Sequence, residues 1–144
     1  MTENSQSSDG AVTRAAPESF RARALAASFT VNDLEKSLAW YCDVVCFIID
    51  QKHEREGKLV AVSLKAGDIR LLLGRDNGAK GWERVKGQGM SLQFSTAQDI
   101  DALAAGITER GGTLDAEPAD MPWGTRVFRL KDPDGFTLVI SSMA

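Results

Sequence analysis

The sequence has few cysteines and almost no histidine: its 144 residues include only Cys42, Cys46 and His53 of these types. Two cysteines are too few for the disulfide framework of a small secreted domain, and we expect a cytoplasmic protein with reduced thiols. We interpret Cys42 and Cys46 as packing residues at a helix end rather than as a metal or redox pair.

Long apolar runs and an excess of basic residues are also missing. No stretch approaches the ~20 apolar residues of a transmembrane helix, and the polar start has no apolar core of a secretory signal. Lys and Arg number 17 against 20 Asp and Glu, which gives a formal net charge of −3. A concentrated basic surface is therefore not expected, and we predict neither a nucleic-acid nor a membrane partner.

The remaining composition is that of an ordinary globular chain, with 43% hydrophobic and 26% charged residues. The length suits one domain. We expect a disordered leader over residues 1–22 and a single domain over 23–142. Within this domain, a first module spans about 23–75, a polar, glycine-rich linker spans 76–88, and a second module spans 89–142.

The order β-α-β-β-β occurs twice along the chain. In the first copy a strand-like run over 25–31 precedes a helix-like segment over 33–41 and three β-rich runs. In the second copy a run over 90–95 precedes a helix-like segment over 99–110, and a hairpin around residues 132–135 ends the pattern. This duplication predicts an α+β fold in which the helices cover one face of the sheets.

Two segments carry a family resemblance: FTVNDLEKSLAWYCDVVCFII and MPWGTRVFRLKDPDGFTLVIS. They resemble the vicinal oxygen chelate superfamily, which is also called the glyoxalase, bleomycin-resistance and dioxygenase group, over about residues 23–142. The resemblance implies two βαβββ modules that form a curled mixed sheet around a cavity, often with a divalent metal and often in a dimer. Pro122-Trp123-Gly124 is similar to the bleomycin-resistance branch, whereas Cys46 stands where the family usually has glycine.

The resemblance also implies four positions for metal ligands. They fall on Ala26, Leu71 or Leu72, Ser91 or Met90, and Val139. None of these side chains is an imidazole, carboxylate or thiolate, which zinc, nickel, iron and manganese sites need. We therefore predict no metal site and no cofactor. His53, which we place after the second strand, is interpreted as a solvated loop or strand-end residue.

Strand alternation predicts a partly polar lining for the cavity. The predicted lining consists of Ser28, Thr30, Ser91, Gln93, Ser95, Thr137, Val139 and Ser141. Trp123 is either a stacking surface for a ligand or a packing residue under the hairpin. Arg126 or Arg129 either reaches a ligand anion or belongs to a solvated face.

Together these patterns favour a metal-free protein that binds a small, aromatic or antibiotic-like molecule. The expected ligand-binding residues are Trp123, Arg126, Ser91, Gln93, Ser28, Thr137 and Val139. Exposed strand edges and the resemblance both indicate a homodimer. The alternative is a superfamily enzyme (an isomerase, lyase or dioxygenase) with a non-standard or absent metal site, and its support is fold analogy.

Overall fold

The computed structural model describes residues 19–143, so most of the predicted leader lies outside the described residues. The helices and strands follow one another in the predicted order. They are β1 (Ala27–Val31), α1 (Leu34–Ala39), a π-helical turn (Trp40–Val44), β2 (Ile48–Arg55), β3 (Lys58–Ala66), β4 (Ile69–Arg75), β5 (Ser91–Thr96), α2 (Ile100–Glu109), β6 (Leu114–Asp120), β7 (Arg126–Lys131) and β8 (Thr137–Ser142). No helix between residues 19 and 143 is long and apolar enough to cross a membrane.

The eight strands form two four-stranded mixed sheets. Sheet A has the order β1-β4-β3-β2 and sheet B the order β5-β8-β7-β6. In each sheet the first strand of the module pairs in parallel with the last one, and the other pairs are antiparallel. The predicted α+β fold with two βαβββ modules is confirmed. The sheets do not close into one, so β1, β2, β5 and β6 are edge strands within the described chain.

Both helices begin at an aspartate that caps the first turn. The Asp33 carboxylate accepts a hydrogen bond from the Lys36 amide at 3.0 Å, and the Asp99 carboxylate accepts one from the Asp101 amide at 3.1 Å. α1 is shorter than predicted, because the chain changes to the π-helical turn at Trp40. This turn still carries Tyr41 into the core, where its side chain is fully buried.

One turn depends on an unusual backbone angle. Cys46, between the π-helical turn and β2, has a φ of 67°. This is the left-handed conformation that glycine adopts without cost, and the family resemblance places glycine at this position. The turn is therefore formed as if glycine were present, although a Cβ atom makes the conformation unfavourable.

The helix-bearing sides of the two modules share one core. The rings of Phe29 and Phe136 stack with centroids 3.9 Å apart, and Phe47 meets Phe94 edge to face. Near them the Tyr41 hydroxyl donates a 2.7 Å hydrogen bond to the Asp132 carboxylate in the turn between β7 and β8. Apolar stacking and one buried hydrogen bond thus join β1 and the π-helical turn to the second module.

We predict that Cys46→Gly raises the free energy of unfolding. The gain should be about 0.5–1 kcal/mol, because the left-handed conformation costs other residues roughly 1–2 kcal/mol and part of the relief is offset by glycine's greater loss of entropy. Cys46→Ser keeps the Cβ atom and is the control, expected within about 0.5 kcal/mol of wild type. Urea unfolding measures both, and a glycine variant no more stable than the serine variant would contradict this account.

We also predict that Tyr41→Phe lowers the free energy of unfolding by about 1.5–3 kcal/mol near pH 7, because the hydrogen bond has a charged acceptor. Burial raises the pKa of Asp132, and hydrogen bonds from Tyr41 and two backbone amides oppose the rise. Without the Tyr41 hydroxyl the folded-state pKa should rise further.

A carboxyl group with a raised folded-state pKa contributes stability below its unfolded pKa and loses that contribution as pH rises through the folded-state pKa. The cost of Tyr41→Phe, taken as a difference from wild type, should therefore be larger at pH 7 than at pH 4. In an Asp132→Asn background this pH dependence should disappear. Equal costs at both pH values in the native background would argue against the ionised acceptor.

Candidate functional site

Each sheet has one face toward the helices and one helix-free face. On the helix-free face of sheet B, paired residues of neighbouring strands form rows, because residues opposite each other project from the same side. The middle row consists of Gln93, Val139 and Arg129. It is flanked by the rows Ser91, Thr137, Lys131 and Ser95, Ser141, Val127. The predicted lining residues of the second module therefore do lie on one face.

This face combines an apolar floor with polar groups around it. Val127 and Val139 are buried, although they do not belong to the core that the helices share. Ser91, Gln93 and Arg129 are exposed. An organic molecule with an apolar body and several hydrogen-bonding groups fits such a surface.

The helix-free face of sheet A carries the other predicted lining residues. Its rows are Ser28, Leu72, Ser63, Gln51 and Thr30, Gly74, Ala61, His53. Ser28 and Thr30 are exposed, and Phe29 between them is buried, so the predicted alternation of the first strand is confirmed. Because the two sheets are separate, one chain does not bring Ser28 onto the same face as Ser91 and Gln93.

His53 lies on this face and not after the second strand, where the sequence placed it. β2 extends from Ile48 to Arg55, and His53 pairs in register with Ala61 of β3. The expectation of solvent exposure is confirmed. All eight residues of β2 are exposed and few are apolar, so alternation gave no strand signal. The usable clue in the sequence was Gly57, because the two-residue turn of this hairpin has positive φ at both Glu56 and Gly57.

The four family positions for metal ligands can now be assigned to faces. Leu72 shares the helix-free face with Ser28, whereas Leu71 belongs to the core. Ser91 begins β5, and Met90 precedes it. Among residues 19–143 no group of three or more His, Cys, Asp or Glu side chains is placed to hold a metal ion. Alanine, leucine, serine and valine do not fit the donor set of a divalent transition metal.

Arg126 lies on the helix-bearing side of sheet B, away from the predicted lining. Its Nε and Nη2 atoms donate to the Asp101 carboxylate of α2 at 2.8 and 2.9 Å, and Nη1 donates to Asp120 at 3.0 Å. The hydrogen bond from Arg126 lowers the pKa of Asp101. Successive residues of β7 point to opposite faces of sheet B, so Arg126 and Arg129 lie on different faces. Arg129, and not Arg126 as predicted, is the arginine on the helix-free face.

Trp123 lies in the connection between β6 and β7, and the residue is 71% exposed. The connection is held by backbone hydrogen bonds from the Met121 amide to the Thr125 carbonyl and from the Gly124 amide to the Met121 carbonyl. Gly124 has a φ of 102°, which favours glycine. The turn therefore does not require the indole for its own packing, and the ligand contact of Trp123 stays a prediction.

Comparisons with known proteins agree with this architecture. The model of the Glyoxalase/Bleomycin resistance protein/Dioxygenase superfamily matches residues 23–140. The structure resembles TioX from Micromonospora sp. ML1 with a TM-score of 0.70 and 16% identity, over 85% of this chain and 100% of that one.

A superfamily member from Sphaerobacter thermophilus DSM 20745 is 26% identical over 85% of this chain and 98% of its own, with a TM-score of 0.69. Virulence protein STM3117 from Salmonella typhimurium is 20% identical over 88% of this chain and 100% of its own, with a TM-score of 0.66. A search of curated proteins found no match.

We predict that Trp123→Ala changes the free energy of unfolding by no more than about 0.5 kcal/mol, because an exposed side chain away from caps and core packing contributes little. Phe128→Ala, which truncates a fully buried side chain of the adjacent strand β7, is the contrasting variant and should cost about 3–5 kcal/mol. Thermal and urea unfolding measure both. A large loss with Trp123→Ala would show that the indole is a packing residue.

Proposed function

The chain belongs to the Glyoxalase/Bleomycin resistance protein/Dioxygenase superfamily, and we propose that it binds a small organic molecule, aromatic or antibiotic-like, without a metal ion. The observation that carries the proposal is the middle row of sheet B, in which Val139 lies between the Gln93 amide and the Arg129 guanidinium. Carboxamide, guanidinium and aliphatic side chains bind and orient an organic ligand, and one carboxamide oxygen alone is not the donor set of a transition-metal ion.

The side chains of the proposed site differ in the kind of ligand contact that they offer. Val139 and Val127 offer an apolar surface, and Gln93 offers both a donor and an acceptor. Arg129 and the hydroxyls of Ser91 and Thr137 surround them. Trp123 supplies a ring for stacking, and the Pro122-Trp123-Gly124 element supports assignment to the bleomycin-resistance-like branch. Arg126, held by two aspartates on the other side of the sheet, is not part of the proposed site.

We further propose that the site is completed in a homodimer. The helix-free faces carry exposed residues such as Ser28, Thr30 and Gln93, and a face of this kind excludes water from a ligand only when it is covered. β1 and β5 are edge strands, and a second copy offers edges of matching length.

Cys42 and Cys46 are free thiols, which supports a cytoplasmic location.

The ligand site predicts specific losses of affinity for a neutral aromatic probe, 2-naphthamide, titrated into tag-free protein in the presence of EDTA. Gln93→Leu should weaken binding about fivefold, the equivalent of one neutral hydrogen bond. Gln98→Leu, in the exposed turn before α2, is the matched control and should bind like wild type. Equal affinity of the two variants, or dependence of binding on added metal, would argue against the proposed site.

The dimer predicts a molar mass twice the 15.6 kDa of the chain in light scattering. Ser95→Arg places a charge on the helix-free face of sheet B and should reduce the mass to that of one chain. Ala102→Arg places the same side chain on the exposed surface of α2 and should leave the dimer intact. A wild-type protein that is monomeric at micromolar concentration would contradict this arrangement.

A superfamily enzyme is the second candidate, and His53 is the observation that favours it. Its imidazole projects from the helix-free face of sheet A, in one row with Thr30, and histidine is the side chain that most often serves as a general acid or base. Elemental analysis of tag-free protein separates the binding protein from a metal-dependent enzyme. Substoichiometric metal supports the binding protein, and one tightly held metal ion per chain supports an enzyme with a non-standard site.

A further inference from the structure

A cleft of about 280 Å³ lies where the first strand meets the segment that connects the two modules. Thr30, Arg84, Lys86, Gly87, Gln88 and Phe136 contribute to its walls. Thr30 belongs to the helix-free face of sheet A, so the cleft adjoins that face at the β1 edge. The proposed ligand contacts on sheet B do not include this cleft.

The walls of the cleft are held by specific contacts. The Asp76 amide donates to the Val31 carbonyl at 2.8 Å, and Lys86 Nζ donates to Asp76 and Asn32 at 2.8 and 2.7 Å. Gly87 has a φ of 80°, and a Cβ atom there would come within 2.6 Å of the Gly135 carbonyl oxygen. This close approach fixes the connecting segment against the second module, so the cleft is a built feature of the fold.

Two cations hold one carboxylate beside the cleft. Asp76 accepts hydrogen bonds from Lys86 and, at 3.1 Å, from Arg84 Nη2. These contacts, Lys86 first, hold the pKa of Asp76 well below its usual range, so the carboxylate remains ionised. Two cations therefore bond the Asp76 carboxylate, and a second carboxylate, that of Asp134, lies nearby, where it accepts from the Asn32 amide.

Of Arg84, Lys86 and Asp76, Arg84 is the residue with unused hydrogen-bond donors. Only its Nη2 atom bonds Asp76, and its Nε and Nη1 atoms make no hydrogen bond within residues 19–143. The Arg84 side chain is 39% exposed, whereas that of Lys86 is 6% exposed and occupied by two oxygen acceptors. Arg84 can therefore turn unused donors toward a bound anion while Lys86 keeps Asp76 in place.

We infer that this cleft binds the carboxylate of an acidic aromatic ligand, with Arg84 and the Thr30 hydroxyl as its contacts, and that in the proposed dimer the ligand body lies between this face of sheet A and sheet B of the second copy. The inference rests on the proposed function, because it names the class of ligand that the protein takes. One guanidinium with unused donors matches a carboxylate monoanion better than a phosphate dianion, which commonly meets several cations or a ring of amides.

The test compares 2-naphthoate with 2-naphthamide, which differ in charge but share one ring system. The wild-type protein should bind the acid about tenfold more tightly, the size of one charge-assisted hydrogen bond. Arg84→Gln should abolish this preference and leave the affinity for the amide unchanged, and Arg84→Lys should retain part of it. Arg55→Gln, an exposed arginine at the far end of β2, is the matched control and should keep the full preference.

The location is read from amide chemical shifts in nuclear magnetic resonance. Gly87 and Gln88 should shift with 2-naphthoate and not with 2-naphthamide. A preference that survives Arg84→Gln, or that is lost in Arg129→Gln instead, would overturn the cleft while amide binding still supports the proposed function. Absence of binding by both compounds to wild type would overturn both.

Discussion

The hydrogen bond between Tyr41 and Asp132 is the contact on which the arrangement of the two modules depends. The Asp132 carboxylate also accepts hydrogen bonds from the backbone amides of Asp134 and Phe136. One carboxylate therefore both stabilises the turn between β7 and β8 and bonds the first module through Tyr41. A buried carboxylate without such partners would be strongly unfavourable. The same turn brings Phe136 onto Phe29 and presents Asp134 to the Asn32 amide.

Burial of this junction determines which surfaces of the chain remain exposed. Because the helix-bearing sides of both modules are used in the shared core, both helix-free faces point away from it. The polar residues that follow the alternation of β1 and β5 are therefore exposed in one chain. A chain with a complete core therefore still has two exposed, partly polar faces, and these are the faces that we propose for a ligand and a second copy.

The local pattern of apolar and polar residues predicted much of the candidate site. Alternation in β1 and β5 correctly separated Phe29 and Phe94 from Ser28 and Gln93, since period two holds wherever a strand has one buried face. It did not place Arg126, because two arginines flanking two apolar residues do not show which one meets the helix. Alternation also failed to predict that His53 lies within a strand. β2 is an edge strand exposed on both faces, so its apolar residues do not alternate with polar ones.

The sequence by itself determined the duplicated βαβββ order, the helix caps and the face to which each residue of a strongly alternating strand belongs, because these follow from contacts between near neighbours. Tertiary structure decided the separation into two sheets, the partner of Asp132 and the charge balance around Asp76. Each of these depends on groups far apart in the chain, such as Tyr41 and Asp132 at a separation of 91 residues. Local periodicity carries no information about which distant group will satisfy a buried charge.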